Sequence, residues 1–129
     1  MFTRRLFLAS TAGIAVFSLA PAWAAATPFT AAAFADAQKA GKPILVEIHA
    51  TWCPTCKAQS AILGPMLADP RFKDLVVLRV DFDAQKDIVR QFGARMQSTL
   101  IVFKGAAEMG RSVGDTDAAS IAALLAKTA

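Results

Sequence analysis

Cysteine is scarce in this chain, with two among 129 residues. That excludes the small secreted scaffold held by several bridges, which needs cysteines spread along its length. Histidine is scarcer still, with one, so a closed structural zinc site, which wants four ligands, lacks its donors. The longest apolar run, Leu6 to Ala20, falls short of the ~20 residues that a spanning helix needs. Internal repeats, low-complexity tracts and a second domain are also missing.

What is present begins with a processing pattern. Arg4 and Arg5 precede the uncharged run, and Ala22-Trp23-Ala24 supplies small residues at the spacing of a signal-peptidase site. Residues 1–24 are therefore expected to be a signal peptide cleaved after Ala24, with Ala26 as the next choice. Thr3-Arg4-Arg5-Leu6-Phe7-Leu8 also has the paired arginines, Phe and Leu of the twin-arginine export motif; an ordinary Sec leader carrying two arginines is the alternative. Either route makes the protein exported, and periplasmic location is the expectation. Removing Arg4 and Arg5 from the fourteen Lys and Arg leaves twelve, against ten Asp and Glu. The remaining domain, residues 25–129, is nearly neutral, so the overall charge of +4 does not argue for nucleic acid or membrane binding.

Ala25 to Phe29 reads as a linker. Thr30 can cap a helix through Phe34 and Ala37 that stops at Gly41. Pro43–His49 is a nearly continuous apolar strand of the kind buried on both faces. A second helix starts near Cys53, with Pro54 suited to its first turn, and is expected to end or kink at Gly64-Pro65. Asp69-Pro70 marks a break. Leu75–Asp81 reads as a strand, and Ile88, Val89 and Phe92 give a third helix its apolar face up to Gly93. Thr99–Phe103 and Glu108–Val113 form a hairpin around Gly105. Asp115 or Thr116 caps a last helix carrying Ile121, Leu124 and Leu125. Alternating units followed by a hairpin and helix predict an α/β fold, a central mixed sheet with helices on both faces.

Both cysteines lie in Trp52-Cys53-Pro54-Thr55-Cys56, after the apolar strand and at the mouth of a helix. Two residues between them allow a small disulfide to close. Unpaired backbone N–H groups and the positive end of the dipole at a helix start favour a thiolate, the reactive form. The chemistry indicated is reversible thiol–disulfide exchange.

Lys42–Lys57, with Trp52-Cys53-Pro54-Thr55-Cys56-Lys57 at its end, resembles the active-site segment of the thioredoxin family. Phe92–Gly105 resembles the segment that this family packs against its disulfide. The resemblance runs from about Phe29 to Lys127 and implies the thioredoxin fold. It also implies Cys53 as attacking nucleophile and Cys56 as resolving thiol. Glu47 falls in the middle of the apolar strand, where a carboxylate is costly unless paired or functional. It matches the buried acid that serves the resolving cysteine as proton shuttle; the plain alternative is an edge glutamate paired with a cation. Arg79 aligns with a basic position of the family and could pair with Glu47, or could simply be a surface arginine. His49 could act on Cys53 when protonated, or merely pack. Trp52 is expected to cover the disulfide and help dock a partner.

One departure stands out. Where the family places a cis-proline facing the disulfide, this chain has Gln97-Ser98-Thr99. A cis bond before Ser98 would cost about 2.5–4 kcal/mol, so a trans bond is expected. Gln97, Ser98 and Thr99 are then candidate substrate-binding residues with altered docking. The opened loop also raises the alternative of a copper-binding or metallochaperone module, with His49 or Met96 added to the dithiol.

The resemblance implies an oxidoreductase acting on protein thiols and disulfides, with no bound cofactor beyond the Cys53–Cys56 pair, and the expected leader makes it periplasmic. A membrane or periplasmic redox partner and a monomeric state are expected. Redox direction is only partly set by Pro54-Thr55: potentials run from about −270 mV for thioredoxin to about −120 mV for DsbA, a span of roughly 7 kcal/mol. Pro54 resembles the oxidising members. The Asp69-Pro70 segment resembles small exported members related to the C-terminal domain of the transmembrane reductase DsbD, which tips the expectation slightly towards reduction.

Overall fold

The computed structural model describes residues 26–129; the expected leader, residues 1–24, lies outside the described residues. The elements run β1 (Thr27–Pro28), α1 (Ala31–Lys39), β2 (Pro43–His49), α2 (Pro54–Leu67), β3 (Val76–Asp81), α3 (Lys86–Gln91), β4 (Thr99–Lys104), β5 (Ala107–Val113) and α4 (Ala118–Ala126), with a 3₁₀ turn at Pro70–Phe72. The strands form one mixed sheet in the order β1-β3-β2-β4-β5. β3 pairs parallel with both β1 and β2, whereas β4 pairs antiparallel with β2 and β5.

Three local expectations need correction. The stretch read as a linker contains β1: Thr27 and Pro28 align with Leu78 and Arg79, and the Phe29 N–H continues the ladder to the Arg79 carbonyl at 2.8 Å. Two residues are too few to show a periodic pattern, and Pro28 is tolerated because the strand is at an edge. Second, of the two outcomes expected at Gly64-Pro65 the ending is overturned: α2 runs through Pro65 to Leu67. A proline inside a helix costs about 3 kcal/mol, but Ile62, Leu63, Met66 and Leu67 all pack onto one core, and each such side chain gains about 1.5–3 kcal/mol when fully buried. Third, Asp117 caps α4, accepting the Ser120 N–H at 2.7 Å, while Asp115 accepts the Asp117 N–H at 3.0 Å and shapes the preceding turn.

Alternation along β2 divides the sheet into two unlike faces. Ile44, Val46 and Ile48 point with Leu78, Val80, Ile101 and Phe103 into a core covered by α1 and α3. There Phe34 meets Phe103, Phe92 and Phe29 at centroid distances of 5.2, 5.4 and 5.5 Å. Leu45 points the other way, joining Val77, Leu100, Val102, Leu63, Ile121 and Leu125 under α2 and α4. Glu47 belongs to this second face, opposite Arg79 on one side and Leu100 on the other.

Candidate active site

β2 delivers the chain to the site. After His49 it turns at Ala50–Trp52, and Cys53, in extended conformation with φ −86° and ψ 112°, becomes the N-cap of α2. Pro54 occupies the first helical position, where its missing N–H would have had no partner. Sulfur replaces the usual capping oxygen: the Cys56 N–H donates to Cys53 Sγ at 3.1 Å. A developing negative charge on that sulfur therefore meets a backbone donor already in place. Both cysteines are free thiols and both are buried, Cys53 at 3% and Cys56 at 1% exposure.

Burial pushes the Cys56 thiol above its ordinary range, and its hydrogen bond with Cys53 adds to the effect; the Ala50 and Ser98 backbones pull it partly back. Its proton accordingly needs an acceptor before Cys56 can attack. A carboxylate lines the same cavity: Cys56, Glu47, Gln59, Ser60, His49 and Leu63 surround one small space under α2. Glu47 is 5% exposed, and Arg79 Nε donates to its Oε2 at 2.9 Å. Arg79 Nη2 also reaches Ser60 Oγ at 3.3 Å. Arg79 is thus a partner of Glu47 and not a free surface residue, which settles the pairing raised from the sequence.

His49 faces the same region. Burial, then the Arg79 charge, hold its imidazole below the ordinary histidine range, against the weaker pull of Glu47 and Asp81. Its surroundings thus oppose the protonated form. Among the described residues, no group of three or more His, Cys, Asp or Glu side chains is placed to hold a metal.

At the rim, Trp52 is 58% exposed and its indole N–H donates to Asp83 Oδ2 at 2.7 Å, which fixes the ring while leaving its face open. Met96 is 51% exposed nearby in the chain to Ser98. The Gln97–Thr99 loop contains no cis peptide bond, as expected without proline; instead Ser98 takes φ +61°, the left-handed region. Ser98 and Thr99 are buried and Gln97 is half-buried. Thr99 Oγ1 donates to the Met96 carbonyl at 2.7 Å, and Ser98 Oγ donates to the Gln97 carbonyl. Both hydroxyls thus spend their proton on shaping the loop.

Gln59 is the residue that sequence reasoning missed. It is 4% exposed, one turn beyond Cys56 on the same helix face, and donates to the Ser98 and Asp115 carbonyls. Its spacing of three from Cys56 was the available signal.

A CxxC dithiol capping the helix that follows a central strand, beside a buried acid, defines a thiol–disulfide oxidoreductase. Residues 25–127 match the thioredoxin family model. The chain is 36% identical over 94 residues to thioredoxin of Chlamydia muridarum, covering 73% of this chain and 89% of that one. It is 35% identical over 81 residues to the bifunctional thioredoxin reductase/thioredoxin of Mycobacterium leprae, covering 63% of this chain but spanning only 18% of that protein's length. Among solved structures, Trxlp from Edwardsiella tarda superposes with a TM-score of 0.74 at 43% identity, covering 76% of this chain and 95% of that one. The chain belongs to the thioredoxin family. Its fold is the thioredoxin fold, and its chemistry is carried by a redox-active dithiol without a further cofactor.

Proposed function

We propose that the protein is a periplasmic reductant of protein disulfides, exported by its N-terminal leader and supplied with electrons by a membrane or periplasmic redox partner. The observation that carries the reading is the small cavity lined by both the shielded Cys56 thiol and the Glu47 carboxylate. The Cys53 thiolate attacks one sulfur of the target disulfide, forming a mixed disulfide and releasing the first target thiolate, which takes a proton from solvent. Cys56 then gives its proton to Glu47 and attacks Cys53 Sγ. The Cys53–Cys56 bond forms, the mixed disulfide breaks, and the second target thiolate leaves and is protonated. The target gains two electrons from the dithiol, and its two protons balance the one Cys53 loses to solvent on ionising and the one Glu47 takes from Cys56 and then releases. Trp52 offers the open apolar face against which a partner docks, and the Ser98 backbone lies against Cys56. The protein acts as a monomer.

The reducing direction is supported by the thioredoxin relatives, since thioredoxin itself lies near −270 mV, and by the Asp69-Pro70 segment, which folds as a capped 3₁₀ turn directly after α2. Equilibrating the dithiol against glutathione or dithiothreitol buffers tests it. A potential at or below about −250 mV is expected; one of about −120 to −180 mV would make the protein an oxidant or isomerase. Location is tested by following the processed chain in periplasmic extracts of cells with and without a working twin-arginine translocase. Retention in the cytoplasm of both would defeat the export reading.

A further inference from the structure

The Ser98 conformation needs a cause. A residue with a β-carbon in the left-handed region costs roughly 1–2 kcal/mol, and Ser98 holds it at φ +61° while buried. Its N–H donates to the Ile48 carbonyl at 2.8 Å, tying it to the end of β2. Its carbonyl accepts the Gly114 N–H at 2.9 Å and Gln59 Nε2 at 3.1 Å. The same Nε2 donates to the Asp115 carbonyl at 2.9 Å, so one carboxamide uses both of its protons to join two loops to α2. The tie originates one turn beyond Cys56, on the helix that carries both thiols. Any drift of the loop from the dithiol must stretch it.

We propose that Gln59 is a positioning residue for disulfide exchange: its carboxamide holds the trans, left-handed Ser98 backbone in register with the Cys53–Cys56 pair, in the place where a proline ring would otherwise fix the loop. This rests on the exchange reaction proposed above. A proline at position 98 would have no N–H for Ile48, so the serine loop is built differently, with its rigidity supplied from the helix. The consequence falls on partners that must align a backbone with the loop, and not on small disulfides that need only reach sulfur.

Gln59→Leu keeps the volume and removes both donors; Gln59→Glu keeps the shape and replaces the donors by acceptors. With insulin as the protein disulfide, either variant is expected to raise KM about tenfold, the equivalent of one lost hydrogen bond, with kcat within about twofold. Exchange of the oxidised protein with dithiothreitol should stay within about twofold, while amide hydrogen exchange at Ser98 should speed up about tenfold or more. An unchanged KM in both folded variants, or a parallel loss with dithiothreitol, would overturn the proposal. Unchanged Ser98 exchange would overturn it too, and that measurement stands even if the wild-type protein fails to reduce insulin. Such a failure would count against the proposed function and leave the tie itself to be judged by exchange alone.

Discussion

The two faces of the sheet are built from the same three central strands and do different work. The face under α1 and α3 is apolar throughout, with four phenylalanines in mutual contact. The face under α2 and α4 is apolar at the end near Leu45 and polar towards Cys56, where Glu47 and Gln59 line a cavity with that thiol and Arg79 pairs with Glu47. Unsatisfied polar groups in a core are costly, so the second face supports its chemistry because Glu47 and Gln59 are both partnered, by Arg79 and by the Ser98 and Asp115 carbonyls. The contrast teaches that stability and reactivity are sorted along β2: Ile44, Val46 and Ile48 anchor one core and Leu45 the other, while Glu47 and His49 face the cavity at Cys56.

The comparison can be broken most severely at either extreme. Cys53→Ser should abolish turnover with insulin while leaving the melting transition of the reduced protein nearly unmoved, because the hydroxyl still caps α2. Phe103→Ala should do the reverse, destabilising the protein by about 3–5 kcal/mol in denaturant titrations with the reduction potential unchanged. A shift in potential would show that the faces are not separable.

Glu47→Gln sharpens the comparison within the polar face. The amide keeps the shape but cannot take the Cys56 proton, so release of a mixed disulfide formed at Cys53 should slow by about 10²-fold, the lower range for a positioned base. The initial attack by Cys53, read in single-turnover mixing, should change little. Equal slowing of both steps would remove the distinction.

Titration supplies smaller effects with a definite sign. Cys56 holds its proton more tightly in the folded protein than in the unfolded chain. Above about pH 8.5 the unfolded chain ionises first, so reduced protein should lose stability as pH rises further, levelling off once the folded thiol also ionises. Cys56→Ser should remove this decline in unfolding curves taken from pH 7 to 10. His49 gives the smallest effect. Its folded form resists protonation, so stability should fall as pH drops below about 6.5, where the unfolded chain takes up the proton. His49→Asn should flatten that slope.

Much of this was legible in the chain. The Pro43–His49 run, the Cys53-Pro54 helix start and the turns at Gly41 and Gly93 (φ +67° and +64°) depend on local chemistry that a sequence states directly. Glu47 was visible because a charge within an apolar strand has few innocent explanations. Its partner was not decidable, since the Glu47–Arg79 pairing depends on strand register across 32 positions. β1 was hidden by its brevity, and the passage of α2 through Pro65 by tertiary burial overriding a local breaker. The missing proline at position 98 could be read, but what replaces it could not. The Gln59 tie spans 39 residues to Ser98 and 56 to Asp115, and becomes visible only when α2 lies across the ends of β4 and β5.

The two-residue β1 has a bearing on how the protein behaves in a crowd. A bare sheet edge presents a row of free donors and acceptors on which another chain can grow. Here the outer edge beyond β3 ends in Thr27–Pro28, and Pro28 offers no N–H. The opposite edge, β5, carries the ion-paired Glu108 and Arg111. Both borders of the sheet thus carry features that discourage an added strand, a two-residue edge with a proline on one side and a charged pair on the other.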